Sequence, residues 1–70
     1  MHYGAVKWFN NAKGYGFIVS EEFSEELFLH FSSINMEGYK TLKAGQAVSF
    51  HVEPGERGLH AVDINIIYQP

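Results

Sequence analysis

The sequence predicts an all-β chain that closes into a small barrel. Three observations carry this. Apolar residues recur at alternate positions in short runs, turn-forming residues separate the runs, and no segment has amphipathic helical spacing over an ordinary helix length. Five such runs in 70 residues fit a closed barrel, which also leaves no exposed sheet edge.

The first strand is Ala5-Val6-Lys7-Trp8-Phe9-Asn10. Strict alternation would put Val6 and Trp8 on one face and bury both; a bulge near Lys7 would instead free Trp8. Asn10-Asn11-Ala12-Lys13-Gly14 is a turn, rich in residues that tolerate left-handed backbone. The second strand runs from Tyr15 to Ser20. Tyr15, Phe17 and Val19 share one face, and Ile18 takes the other with Gly16. A barrel strand needs only one apolar face, so this strand leaves rings looking outward beside Lys13. The bland alternative is a core strand kinked by glycine. Glu21 to Glu26 is a polar loop interrupted by Phe23. The third strand, Leu27-Phe28-Leu29-His30, turns its leucines inward and Phe28 and His30 outward. Phe31 then leads into Ser32-Ser33-Ile34, a short helical turn, and residues 35–43 form a long connection around Gly38 and Tyr39. Ala47 to Glu53 alternates, with Val48, Phe50 and Val52 inward and Ala47, Ser49 and His51 outward. Pro54-Gly55 signals a turn. In the last strand, His60 to Tyr68, Val62, Ile64 and Ile66 point inward and Ala61, Asp63 and Asn65 outward.

Composition excludes several classes. Seventy residues make one domain of modest core. With no cysteine, neither a disulfide nor a thiolate metal site can staple it. The N-terminus has no basic segment followed by an apolar run, and no stretch nears the roughly 20 apolar residues of a membrane helix, so the expectation is a cytoplasmic protein without a membrane partner. His2, His30, His51 and His60 show no ligand spacing, and no metal or other cofactor is expected. No nucleophile with a base and no paired carboxylates in a pocket are legible, so neither catalysis nor a small-molecule substrate is expected. Net charge is −3, which argues against a polyanion partner taken globally. Its distribution softens the point: residues 1–20 hold Lys7 and Lys13 and no acid, and the acids cluster at Glu21, Glu22, Glu25 and Glu26.

If the first three strands are neighbours, the outward rings make one aromatic surface with cations beside it. Such a surface stacks unpaired bases with little sequence preference. Arg57, in the Gly55-Glu56-Arg57-Gly58 turn, adds a cation at its rim. The competing function is a peptide-binding barrel with an aromatic groove for proline-rich segments.

Three segments in order, Gly4-Ala5-Val6-Lys7-Trp8-Phe9-Asn10, Lys13-Gly14-Tyr15-Gly16-Phe17-Ile18 and Leu27-Phe28-Leu29-His30-Phe31-Ser32, resemble the bacterial cold-shock protein family. The second and third are similar to its two ribonucleoprotein motifs, and the likeness continues through Gly38-Tyr39-Lys40-Thr41-Leu42 and Gly45-Gln46-Ala47-Val48. The resemblance implies a five-stranded antiparallel oligonucleotide/oligosaccharide-binding barrel (OB-fold), one cold-shock domain over residues 1–70, that binds single-stranded RNA and DNA. It also implies work as an RNA chaperone and as a regulator of transcription and translation. The family's binding positions carry over to Lys7, Trp8, Lys13, Tyr15, Phe17, Phe28, His30, Phe31, Tyr39 and Arg57, and to Glu26 where the family often has aspartate. Tyr15 and Tyr39 replace the commoner phenylalanine, and Phe23 and Leu59 are departures without an evident role. Residues 35–43 resemble the branch linked to stationary phase and replication inhibition. The expected state is a monomer, with a dimer by swapping through the 35–45 connection as the alternative.

Overall fold

The computed structural model describes residues 1–56 and 58–68. It contains five strands: β1 (His2–Asn10), β2 (Tyr15–Val19), β3 (Leu27–His30), β4 (Ala47–Gly55) and β5 (Gly58–Ile66). A single 3₁₀ turn, Phe31–Ser33, follows β3. The strands close in the order β1-β2-β3-β5-β4, and β1 pairs with β4 to complete the barrel. All pairings are antiparallel except β3 with β5, which touch in parallel at Phe28 and His60. The expected meander of the first three strands is present, and the sequence underestimated β1, which starts at His2.

The core gathers Val6, Ile18, Leu27, Leu29, Ile34, Leu42, Val48, Phe50, Ala61 and Ile64. Two bulges decide which residues reach it. In β1, Val6 pairs with Ile18 and Trp8 with Phe17, so Lys7 is the extra residue. In β5, Asn65 faces Ser49 and Val62 faces His51, so β5 spends three steps against two on β4. Asp63 absorbs the extra residue with φ of 53°, a left-handed conformation that aspartate tolerates better than most side chains. Alternation is reset there. The expectation that Val62 is core and Ala61 outward is therefore corrected: Ala61 is buried and Val62 is not part of the core cluster. Ser49, expected outward, lies on the outer face and is buried there between its strand neighbours Tyr3 and Asn65.

The turn expected at Pro54-Gly55 is also displaced. β4 continues through both residues, with Pro54 opposite Leu59 and Gly55 opposite Gly58. Proline is tolerated because β1 covers β4 only from Ala47 to Phe50, which leaves the far side of Pro54 without a ladder partner.

Phe23 has a clear place. Its ring packs edge-on against His2, with centroids 5.0 Å apart, and tilts toward core Phe50 at 6.4 Å. It plugs the barrel end that the acidic loop crosses. The same end is laced by Glu22, which binds the His2 ring at 2.9 Å and accepts the Tyr3 backbone N–H at 3.0 Å. These two hydrogen bonds, the His2 one first, hold the Glu22 carboxyl below its ordinary value.

Phe23→Ala is expected to lower stability by about 1–3 kcal/mol, less than a fully buried phenylalanine, as read by denaturant unfolding. Because the Glu22 pKa is lowered on folding, its contribution is complete above the ordinary value of 4.5 and is lost as pH falls through the folded value. Glu22→Gln should lower the thermal midpoint at neutral pH, with the gap to the parent closing in acid; a gap unchanged across that range would contradict the assignment.

Candidate nucleic-acid interface

Strand alternation and the β1 bulge together build one aromatic surface. Trp8 turns outward and is 38% exposed, while Val6, two residues earlier, stays in the core. The Trp8 ring lies 5.3 Å from Phe17 and 5.6 Å from Tyr15. Phe28 on β3 stacks near-parallel to Tyr15 at 5.9 Å and meets Phe17 edge-on at 5.8 Å. Tilted and edge-on contacts of this kind are favourable between rings and lock each against its neighbour. Tyr15, Phe17 and Phe28 are thereby half-buried, with their free faces outward.

Beyond Tyr15 the surface bends. His30, opposite Tyr15, is exposed and its ring lies 4.5 Å from Phe31. His30 Nδ1 meets the Ser32 hydroxyl at 2.9 Å and accepts the Ser32 backbone N–H at 3.4 Å, capping the 3₁₀ turn. The bond from a backbone N–H leaves Nε2 as the protonated nitrogen of the neutral ring. Phe31 and Tyr39 then face a slot of about 360 Å³ that Lys13 and Lys40 also line.

The glycines of the second motif have distinct duties. A Cβ on Gly16 would strike the Trp8 carbonyl and the Phe9 backbone, so Gly16 allows close approach of β1 and β2 rather than clearing the outward rings. A Cβ on Gly14 would come within 2.6 Å of the Phe31 ring, and Gly14 has φ of 77°. Gly14 is what lets Phe31 lie over the β1–β2 turn.

The charges are unevenly available. Lys7, at the bulge, forms an ion pair with Glu26, which joins the acidic loop to the interface. Lys13 and Lys40 have no carboxylate partner among the described residues. Arg57 lies outside the described residues. Thus Lys7, Trp8, Lys13, Tyr15, Phe17, Glu26, Phe28, His30, Phe31 and Tyr39 fall along one side of the barrel, built on β1, β2, β3 and the turns beside them.

His60 was missed by sequence reasoning as part of this surface. Its ring lies 5.1 Å from Phe28, extending the row of rings onto β5, and Gly55 fits over it where a Cβ would collide. The parallel β3–β5 pairing that places it leaves no local signal. Leu59 is exposed, and nothing in the structure explains its choice. No cluster of three side chains able to hold a metal ion occurs among the described residues, and no helix there is long and apolar enough to cross a membrane.

Residues 2–67 match the family model described as 'Cold-shock' DNA-binding domain. The chain is 59% identical over 61 residues to Cold shock-like protein CspD of Escherichia coli K12, covering 87% of this chain and 82% of that one. It is 53% identical over 64 residues to Cold shock-like protein CspD of Haemophilus influenzae, covering 91% and 89%. With Cold shock-like protein CspA of Stigmatella aurantiaca the identity is 50% over 64 residues, covering 91% and 94%. A solved structure titled drosophila Unr CSD456 superposes with a TM-score of 0.79 at 24% identity. It covers 96% of this chain and 26% of its own length, and it supports the fold. A closed five-stranded barrel, an outward row of rings in two adjacent strands, and a family match over almost the whole length agree: the chain belongs to the cold-shock domain family, whose members bind single-stranded nucleic acid and are not enzymes.

Proposed function

We propose that this chain captures unpaired bases of RNA and DNA on the surface formed by Trp8, Tyr15, Phe17, Phe28, His30, Phe31 and Tyr39, with Lys13 meeting phosphates and Lys7 beside Trp8 held back by its ion pair with Glu26. The observation that carries this reading is the continuous chain of ring contacts from Trp8 through Phe17 and Phe28, open to solvent on its outer side. An exposed aromatic patch of this extent on so small a protein marks a binding surface. Every base presents a π-face, so stacking is tolerant of sequence. A duplex hides those faces and binds poorly. Glu26, which stands where the family often has aspartate, holds Lys7; Arg57 is assigned to the rim from the sequence alone. The physiological role that follows is that of an RNA chaperone and a regulator of transcription and translation. The protein acts in the cytoplasm as a monomer without a cofactor.

The test is a titration of Trp8 fluorescence with oligothymidine and with a matched duplex at two salt concentrations. Quenching by the single strand alone is expected. Absence of quenching by either, with folded protein, would instead favour the peptide-binding alternative. Phe17→Ala and Phe28→Ala should each weaken binding by about 1–3 kcal/mol, and undiminished binding in both would overturn the stacking mechanism.

Electrostatics gives a separate prediction. With few free cations the salt slope should be shallow, at about −0.7 per phosphate neutralised. Glu26→Gln releases Lys7; it should tighten binding and steepen the slope by about 0.7. Weaker binding in that variant would instead mark the Glu26 carboxylate as a direct contact to a base.

A further inference from the structure

The slot beside the aromatic surface is tied shut at its base by bonds that span the chain. Tyr39 Oη donates to the backbone carbonyl of Asn11 at 3.2 Å, and Thr41 Oγ1 bonds Asn11 Oδ1. One residue of the β1–β2 turn therefore holds the long connection at two points. The turn itself is fixed from its other side: Lys13 N–H donates to Asn10 Oδ1 at 2.9 Å, Gly14 N–H to Asn10 O at 2.7 Å, and Phe31 N–H to Gly14 O at 2.8 Å. Phe31 and Tyr39, from segments distant in sequence, are thus both anchored to residues 10–14. Lys13 and Lys40 line the same space without carboxylate partners among the described residues.

We propose that Asn11 and the Tyr39 hydroxyl are positioning groups that form the slot before a strand arrives, so that one nucleotide enters between Phe31 and Tyr39 with its phosphate near Lys13 and Lys40. This rests on the single-strand reading above and adds to it two residues, Asn11 and Lys40, and a role for a hydroxyl that stacking does not use. The physical ground is the cost of ordering. The connection from Asn35 to Gln46 has no strand or helix of its own, and a ring that must first be immobilised loses binding free energy to that step. Tethering Tyr39 to the rigid turn removes most of that loss in advance. Replacing Tyr39 by phenylalanine is then not neutral, although the stacking ring remains.

The experiment compares Tyr39→Phe, Thr41→Val and Thr41→Ser with the parent protein, using hexathymidine and trithymidine as probes and Trp8 fluorescence as the readout. Tyr39→Phe and Thr41→Val should each raise the Kd for hexathymidine about threefold to tenfold, with Thr41→Ser close to the parent. Trithymidine, short enough to bind the Trp8–Phe17–Phe28 surface alone, should bind all four proteins alike. Hexathymidine affinity unchanged in Tyr39→Phe and Thr41→Val would overturn the proposal. So would an equal loss for both probes, which would mean general damage to the fold. Failure of the parent protein to bind either probe would count against the single-strand reading itself.

Discussion

One extra residue in β1 decides what this barrel is for. Without the bulge at Lys7, Trp8 would follow Val6 into the core and the outer surface would lose its largest ring. With it, Val6 packs inside, Lys7 stands at the kink, and Trp8 lies over Phe17. A bulge locally increases twist and re-aims a side chain, and here it does so where two strands must also come very close. Gly16 supplies that closeness, since any Cβ would meet the Trp8 carbonyl. The kink and the glycine therefore act as a pair. One turns the ring out, and the other brings β2 near enough for Phe17 and Tyr15 to support it.

Much of this was legible because alternation is a strong constraint on a half-buried strand. β3 falls at Leu27–His30 as its pattern implies, and the outward rings of β2 lie where parity puts them. Parity fails only where something local resets it. The aspartate at position 63 gave no warning that it would adopt a left-handed conformation, so Ala61 and Val62 were exchanged. Pro54-Gly55 resembles a turn in any sequence window; that it continues a strand depends on which side of β4 lacks a neighbour, a property of the whole sheet. His60 joined the aromatic surface through the parallel contact of β5 with β3, strands far apart in sequence. Phe23 shows the same limit. A phenylalanine among glutamates has no local meaning, yet it closes one end of the core over Phe50 and His2.

The electrostatic layout matches a chain with a net charge of −3 that must still hold a polyanion. Carboxylates near the surface are given internal tasks: Glu26 pairs with Lys7, and Glu22 with His2 and the Tyr3 N–H. Of the lysines without such partners among the described residues, Lys13 and Lys40 sit together at the slot. Attraction to phosphate is thus local, and long-range steering is weak. The rings must supply most of the affinity.

That division of labour suits an agent that loosens base pairing without trapping its product. Stacking a base on a protein ring is worth about 1–3 kcal/mol, and a step of DNA stacking averages about 1.4 kcal/mol. The two are comparable, so a row of rings competes with a duplex base by base and does not overwhelm it. A strongly cationic groove would add a large, salt-dependent term that binds paired and unpaired strands alike, and so would blunt the distinction between them. Keeping the surface aromatic and sparing in free charge makes an exposed base face the feature that is recognised. The Lys7–Glu26 pair works in the same direction, because it withholds one cation at the edge where Trp8 begins the row of rings.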